Sequence, residues 1–324
     1  SQLGREMAIG NAPADDVSGA SATTSKKWEK VVDKEEICSE KLAYSWAAAA
    51  EQRRVGRIDI GESQDAFVLT DVLAAGECEF LISATEEAGY TFWDTSANPS
   101  SDFRSAWTCE VTNTALAAAV WERVKDHVVL EITFDNEDDE RFERDLRGTW
   151  VACGVNENLL FARYSDGGHF GPHSDGCTVV DINHRSLFPL LLYLNTPEGG
   201  GETVIIKDEQ RECPIPTDAQ GRYTARDDLV IERVPAVRGR ALCFYQTQMH
   251  EGAAVAEGAE KYVIRSDVMY RRKDPILTSP EDREAFALWQ EAQLLAEKGE
   301  IEEAQRKFRR CFKLSRGLAE LYGM

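Results

Sequence analysis

Hydrophobic residues follow two different periodicities along this chain, and the change between them separates its regions. Between residues 65 and 125, two segments carry apolar side chains at helical spacing, "AAGECEFLISATEEAGY" and "TALAAAVWERVK". We expect the first helix to end at Gly89, because glycine commonly follows the last helical turn. A short apolar run before it, "AFVLTDVL", predicts a strand.

After an acidic loop at residues 135–140, the hydrophobic residues occur in short runs that Gly and Pro turns separate. Five of these runs predict strands: "NLLFARY", "LFPLLLYLN", "ETVIIK", "RALCFYQ" and "KYVIRSDVMY". Many short strands without regular helices between them favour a sandwich or a jelly roll. An insertion at Asp208–Arg238 separates two of the strands and could shape the entrance to a site.

The pattern becomes helical again after Asp274-Pro275. Ser279 is suited to cap a helix that has Pro280 in its first turn, and one break is expected at Gly299. The segment "ALWQEAQLLAEKGEIEEAQRKFRRCFKLSRGLAELYG" resembles a single tetratricopeptide repeat. One repeat cannot bury its own apolar face, so we expect this hairpin to pack on its own chain or to bind a protein partner.

The N-terminal region is rich in Ser, Ala, Thr and Gly up to about residue 27, which predicts a mobile segment, and a charged helical pattern follows. The sequence thus predicts three parts: residues 1–60 as a mobile N-terminus with a leading helix, 61–274 as the main domain, and 275–324 as the helical hairpin. The predicted fold class is α+β, with N-terminal helices flanking the β core.

Composition excludes some classes of partner. The chain carries 57 acidic and 37 basic residues, a net charge of -20. Nucleic acids and anionic membranes need clustered Lys and Arg, so neither is expected as a partner. No apolar run reaches the length of a membrane span. The eight cysteines are scattered without a C-x-x-C pair, which predicts reduced thiols and a cytoplasmic or nuclear protein.

The stretch "FARYSDGGHFGPHSDG" holds two of the five histidines. His173 and Asp175 stand two residues apart, so on a strand their side chains point to the same side. A histidine from a distant strand would complete a triad of two histidines and one carboxylate, and His250, after "RALCFYQTQM", is the candidate. Such a triad suits Fe(II) and leaves coordination positions open for a chelating cosubstrate and O2.

Further motifs surround this triad: "RY" at 163–164, "LYLN" at 192–195, "GGGET" at 199–203 and "HEGAAVAEGAEKYVIRSDVMY" from His250 onward. Together they resemble the Fe(II)/2-oxoglutarate-dependent oxygenase superfamily, in particular its prolyl 4-hydroxylase-like branch, over roughly residues 65–272. The resemblance implies a double-stranded β-helix (jelly-roll) core. It also implies Fe(II) bound by His173, Asp175 and His250, with 2-oxoglutarate, O2 and ascorbate as cosubstrates or reductant.

In that family, a Lys or Arg on the strand after the distal histidine binds the far carboxylate of 2-oxoglutarate. Lys261 and Arg265 are both candidates, and they lie on the same face of the predicted strand. The alignment favours Lys261, with one extra residue after Gly258. Arg265 offers a planar fork that fits a carboxylate better, but it could instead pair with Asp267.

Other residues are assigned by the same resemblance. Tyr164 and Tyr193 match tyrosines that hydrogen-bond the cosubstrate, although an ordinary core role is the alternative for each. "DFRSAWT" resembles an Arg-Ser segment near the substrate groove, so Arg104 would contact the substrate or else form a surface ion pair. Arg163 is a further substrate candidate. His169 would line the mouth of the site or be exposed.

The resemblance implies a dioxygenase that hydroxylates a protein side chain, proline first, and releases succinate and CO2. An oxygenase acting on a free amino acid or another small metabolite is the second hypothesis. The third is a non-catalytic scaffold that binds partners through the hairpin. Intact candidates for all three metal ligands and for a basic anchor argue against the scaffold.

Overall fold

The computed structural model describes Trp46 and residues 54–93, 102–139 and 141–322. The predicted mobile N-terminus and leading helix lie almost entirely outside these residues. The strands are β1 (Gly56–Asp59), β2 (Phe67–Thr70), β3 (Thr91–Phe92), β4 (Arg104–Ser105), β5 (Trp107–Thr112), β6 (Glu131–Phe134), β7 (Gly148–Val155), β8 (Asn158–Ser165), β9 (His169–His173), β10 (Val179–Asp181), β11 (His184–Tyr193), β12 (Thr203–Ile206), β13 (Val230–Val234), β14 (Ala241–Cys243), β15 (His250–Gly252) and β16 (Glu260–Arg272). The helices are α1 (Ala75–Ala88), α2 (Thr114–Val124), α3 (Pro280–Glu297), α4 (Ile301–Leu314) and α5 (Arg316–Leu321).

Within the described residues, these strands form two antiparallel sheets. The larger sheet has the order β1-β2-β14-β11-β16-β8-β5-β3, with β10 beside β11, β7 beside β16 and β6 beside β7. The smaller sheet has the order β13-β12-β15-β9-β4. A buried apolar cluster joins residues of both sheets, among them Val263 of the larger and Ile205 of the smaller. Two antiparallel sheets that share a core in this way form a jelly roll, so the predicted fold is confirmed.

Strand β16 is buried on both faces, which explains its nearly continuous apolar sequence. Tyr262 and Ile264 belong to the core between the larger sheet and helices α1 and α2. Val263 points the other way, into the core between the two sheets. Since side chains alternate along a strand, Lys261 and Arg265 share the face of Val263 and point into the jelly roll.

Helices α1 and α2 cover the outer face of the larger sheet and are joined by a buried ion pair. Arg123 Nη2 lies 2.7 Å from Glu77 Oε1, and the two side chains are only 2% and 1% exposed. Glu77 also accepts a hydrogen bond from the backbone N–H of Ala74, where the N-cap residue has no polar side chain. One carboxylate therefore both caps α1 and joins the two helices.

The C-terminal hairpin begins as predicted, with Ser279 accepting a hydrogen bond from the Asp282 N–H and Pro280 in the first turn. The prediction of a single break at Gly299 was wrong. A second break falls at Ser315, whose hydroxyl caps α5 and donates to Asp282 Oδ1 at 2.5 Å. A contact with a residue 33 positions away thus ends α4, which helical periodicity does not reveal.

The hairpin packs against the turn between β10 and β11. Ile182 in that turn belongs to the same buried cluster as Phe286 of α3. Gln290 Nε2 donates to the Val179 carbonyl at 3.1 Å, and the side chain of Asn183 exchanges two hydrogen bonds with the backbone of Ile276. These contacts dock the hairpin on the jelly roll of its own chain.

Among the described helices, none is long and apolar enough to cross a membrane. The cysteines in the described residues are free thiols.

Candidate metal centre

Strands β9 and β15 are neighbours in the smaller sheet, and they bring two histidines face to face. His173 and His250 are directly paired in the strand register, and their ring centroids lie 4.2 Å apart. Asp175 follows β9, with its carboxylate oxygens 3.6 Å from His173 Nε2 and 3.8 Å from His250 Nε2. One ligand atom from each of the three residues lies within 4.8 Å of the others. The structure therefore brings together the triad expected from the sequence.

Backbone carbonyls orient both imidazoles. His173 Nδ1 lies 2.8 Å from the Gly171 carbonyl, and His250 Nδ1 lies 3.1 Å from the Gln248 carbonyl. A carbonyl oxygen only accepts, so each Nδ1 must carry the hydrogen of its bond. On each ring, Nε2 is then the nitrogen that faces Asp175. Metal-ligating histidines are typically held in this way by a hydrogen bond from the other ring nitrogen.

The charge states of the triad suit a cation. Burial by itself would raise the pKa of Asp175, but the charge of Arg265, together with the neighbouring His250 and His173, lowers it well below its usual range. Burial, with the neighbouring His173, lowers the pKa of His250 to about 3, so that ring is neutral at pH 7. Asp175 Oδ2 is buried and accepts no hydrogen bond. A buried anionic oxygen without a donor is costly, and a metal ion between it and the two Nε2 atoms would compensate it. The three residues therefore fit a divalent metal.

Aromatic rings shelter this site. Phe170 stacks on the His173 ring with centroids 3.6 Å apart, and Phe244 lies 4.5 Å from the His250 ring. Gly171, next to Phe170 on β9, leaves little room for a side chain, because a Cβ there would lie 3.0 Å from the ring of Phe103. The close packing fixes the imidazoles and keeps bulk water from their faces.

Lys261 lies deep between the sheets, opposite Tyr164 in the register of β16 and β8. Its side chain is buried, and Nζ lies 5.5 Å and 5.6 Å from the ring centroids of Tyr164 and Tyr193. Burial lowers the pKa of Lys261 to about 8. Within the described part of the chain, no carboxylate forms an ion pair with this ammonium. The Tyr193 hydroxyl donates to Thr203 Oγ1 at 2.8 Å.

Arg265, by contrast, is engaged by two buried acids. Its Nε lies 3.7 Å from Asp175 Oδ2, and its Nη2 lies 3.6 Å from Asp267 Oδ1. Nη2 also donates to the Gly176 carbonyl at 2.8 Å. The pairing with Asp267, one of the alternatives considered from the sequence, is thus present, and Asp175 is a second partner.

Comparison with known proteins agrees with this geometry. Residues 159–266, which include the triad, Lys261 and Arg265, match the model of the 2OG-Fe(II) oxygenase superfamily. Within these residues, the chain is therefore similar to that superfamily. No protein with a curated description matches the chain.

Several solved structures are similar to the chain, all at low identity. A viral collagen prolyl hydroxylase from Paramecium bursaria Chlorella virus-1, in complex with 2OG, is 16% identical with a TM-score of 0.37, over 64% of this chain and 96% of its own. A Pseudomonas putida prolyl-4-hydroxylase is 14% identical, also with a TM-score of 0.37, over 66% and 95%. A Trichoplax adhaerens prolyl hydroxylase, bound to a hypoxia-inducible-factor peptide, is 13% identical with a TM-score of 0.41, over 77% and 94%.

Arg163 lies on the outer face of the larger sheet. It neighbours Tyr164 on β8 and therefore points to the opposite side. Its Nη1 lies 3.0 Å from Glu86 of helix α1. The structure does not bring Arg163 to the triad, because strand alternation directs it toward the helices.

Arg104 and His169 lie together on the paired strands β4 and β9, beside the triad. Arg104 is buried, with its guanidinium 3.8 Å from the Trp93 ring centroid and 4.4 Å from the Phe170 ring centroid, so the alternative that placed it at the surface was wrong. His169 is buried as well, and its ring nitrogens lie 3.0 Å and 2.8 Å from the carbonyls of Gly167 and Asp102. The alternative of an exposed His169 was also wrong.

A cleft of about 1390 Å³ opens beside the metal centre, and Asp175 is among its lining residues. The jelly roll forms one side, with Gln246 as part of it, and the 3-10 turn Asp208–Glu212 of the predicted insertion forms another. Helix α3 of the hairpin forms the remaining wall. Sequence reasoning assigned a role here only to the insertion. Gln246 stood at the end of a predicted strand, and no local pattern marked it or α3 as part of a cleft.

Proposed function

We propose that the protein is an Fe(II)- and 2-oxoglutarate-dependent dioxygenase that hydroxylates a side chain of a protein substrate and releases succinate and CO2. The observation that carries this proposal is the arrangement of the triad. Two imidazoles, each with Nδ1 held by a carbonyl, turn Nε2 toward a buried carboxylate whose Oδ2 accepts no hydrogen bond. The match of residues 159–266 to the superfamily model supports it independently.

His173, Asp175 and His250 would hold the Fe(II). When bound, the metal and 2-oxoglutarate supply the activation of O2 that oxidises a C–H bond, and ascorbate would serve as the reductant that keeps the iron ferrous. Lys261 would bind the far carboxylate of 2-oxoglutarate, because its buried ammonium forms no ion pair among the described residues, with Glu202 acting on it only at longer range, and Arg265 already has two partners. Tyr164 would line the same pocket.

The dimensions of the cleft favour a polypeptide over a small metabolite. Its volume of about 1390 Å³ exceeds the roughly 300–1,000 Å³ of typical small-molecule pockets. Proline is the first choice of side chain because the sequence resembles the prolyl 4-hydroxylase-like branch most strongly from Leu159 onward. A free amino acid or another small metabolite is the alternative substrate class, and a non-catalytic scaffold is the alternative to an enzyme.

The first experiment is the anaerobic addition of Fe(II) and 2-oxoglutarate, followed by the visible metal-to-ligand charge-transfer band. We expect the band in the wild type and in His127→Ala, which lies away from the triad, but not in His173→Ala. A folded wild type without the band would contradict the enzymatic proposal and favour the scaffold. With the band established, mass spectrometry for an added oxygen atom, on proline-containing peptides and on free amino acids, distinguishes the two substrate classes.

A further inference from the structure

Helix α3 presents a continuous face to the cleft that contains Asp175. Its lining residues Phe286, Trp289, Gln293 and Glu297 recur at intervals of three or four, and therefore lie on one side of the helix. Leu294 adds an apolar side chain that is 51% exposed. From Phe286 to Glu297 the helix rises about 16 Å, which matches about five residues of extended chain. This face of α3 is thus long enough to lie along a peptide of about five residues, which is longer than a small metabolite.

The opposite side of the cleft offers a hydrogen-bond acceptor without a donor. Gln246 is 5% exposed, it lines the cleft, and its Oε1 accepts no hydrogen bond. The nearby Gln248 differs, because its amide donates to the carbonyls of Ile206 and Met249 and its Oε1 accepts from the Gln64 N–H. A buried amide oxygen is rarely left without a donor, so Gln246 is suited to accept an N–H group of a bound molecule.

The cleft carries more negative than positive charge. Both of its arginines are neutralised by aspartates that also line it: Arg185 lies 3.2 Å from Asp145, and Arg211 lies 3.4 Å from Asp208. The lining further contains five glutamates, at positions 62, 143, 209, 212 and 297, but only two lysines, at positions 207 and 298. Such a lining attracts cationic groups and repels anionic ones.

We propose that helix α3 of the C-terminal hairpin forms a wall of the substrate cleft and determines which substrate binds there. We further propose that this substrate is an extended, positively charged segment of a polypeptide. This inference rests on the proposed oxygenase function and specifies its substrate class. In the bound state, the segment lies along α3 with an apolar contact to Leu294, an N–H donated to Gln246 and basic side chains near the glutamates. Its reactive residue lies at the end of the cleft that Asp175 reaches.

The test uses the full chain loaded with Mn(II) and 2-oxoglutarate, and two fluorescent peptides that contain proline. The peptides are identical except that every lysine of one is a glutamate in the other. Fluorescence anisotropy should show the cationic peptide binding at least about tenfold more tightly, a difference of about 1.4 kcal/mol. Added salt should reduce that difference.

Substitutions of residues that line the cleft test whether the peptide binds there. Glu209→Lys combined with Glu297→Lys should weaken the cationic peptide at least about fivefold, or about 1 kcal/mol, and Leu294→Ser should weaken both peptides. The matched control is Glu302→Lys, an exposed glutamate at the start of α4 that does not line the cleft. It should leave both affinities unchanged.

The outcomes separate this inference from the proposed function. If the charge-transfer band forms but neither peptide binds, or both bind equally, the inference is wrong and the oxygenase proposal stands. If the charge reversals and Glu302→Lys have the same effect, binding lies elsewhere and the hairpin is not the wall. If the cationic peptide binds but no band forms, the oxygenase proposal fails, and with it the substrate role of the cleft.

Discussion

Arg265 reaches across the jelly roll to Asp175, with its Nε 3.7 Å from the carboxylate Oδ2, and donates from Nη2 to the carbonyl of the next residue, Gly176. The guanidinium therefore holds the segment after β9 by both its side chain and its backbone. Asp267 lies behind it at 3.6 Å. We infer from this geometry that Arg265 positions the candidate metal ligand.

Replacement of Arg265 should therefore weaken metal binding. Removing a residue that orients a metal ligand typically costs about 10–100-fold in affinity, and we expect Arg265→Ala to fall in that range for Fe(II). Anaerobic titration followed by tryptophan fluorescence measures the dissociation constant. Arg265→Lys should give an Fe(II) dissociation constant between those of the wild type and Arg265→Ala. Arg271 is exposed on the same strand, and Arg271→Ala should leave the dissociation constant unchanged. Unchanged affinity in folded Arg265→Ala would show that Asp175 needs no such support.

The affinity for 2-oxoglutarate should depend on pH through Lys261. Burial lowers the pKa of this ammonium to about 8, so above that value it loses its proton and its attraction for a carboxylate. We expect binding to weaken as the pH rises through 8, by up to about tenfold per pH unit. Calorimetry with the Mn(II)-loaded protein at several pH values measures this.

Lys261→Arg is the matched control, because a guanidinium stays protonated throughout this range. Its affinity for 2-oxoglutarate should therefore vary much less with pH. Equal pH profiles for the two proteins would indicate that another group anchors the cosubstrate.

The buried pair between helices α1 and α2 should matter for stability. Glu77→Ala leaves Arg123 buried without its carboxylate and removes the cap of α1, so we expect a loss of about 3–5 kcal/mol in the free energy of unfolding. Urea denaturation measures the change. Glu79→Ala serves as the control on the same helix, because Glu79 forms an exposed pair with Arg238 and should contribute at most about 1 kcal/mol. If Glu77→Ala and Glu79→Ala lowered the free energy of unfolding equally, the buried pair of Glu77 and Arg123 would not explain the loss.

Asp282 should stabilise the hairpin only while it is ionised. Hydrogen bonds, first from Ser315 and then from Ser279, lower its pKa in the folded state. Its contribution is therefore present above the ordinary value of about 4 and is lost as the pH falls through the folded-state pKa. Asp282→Ala should cost about 1 kcal/mol at neutral pH, as expected for a capping residue.

Hydrogen exchange of the hairpin amides measures this effect, and Glu281→Ala is the control in the same helical turn. At pH 7, the hairpin amides of Asp282→Ala should be less protected from exchange than those of the wild type. At acidic pH, the protection in the two proteins should become similar. A difference that persists at acidic pH would contradict the role of the carboxylate charge.

Local sequence patterns were sufficient for much of the fold. Helix α1 ends before Gly89, α2 lies within the predicted segment, and Ser279 caps α3, because each of these features depends on residues within one or two turns. The strands β8, β11, β12, β14 and β16 coincide with predicted apolar runs. Strands β5, β6 and β7 lay outside the predicted apolar runs. They carry polar and partly exposed residues throughout, and pairing with other strands defines them.

The sequence by itself predicted a core of short strands, a sandwich or a jelly roll, because alternation along a strand is a short-range regularity. The spacing of His173 and Asp175, with one residue between them, is equally local. The resemblance to the oxygenase superfamily then implied the jelly roll and the complete triad with His250. Only the tertiary structure decided that Arg265 is engaged by Asp175 and Asp267 while Lys261 is not, since both cations occupy the same face of one strand. It alone placed the hairpin beside the metal centre, through contacts such as that of Gln290 with Val179, 111 positions apart. Such contacts depend on how the elements pack in space, which periodicity along the chain does not encode.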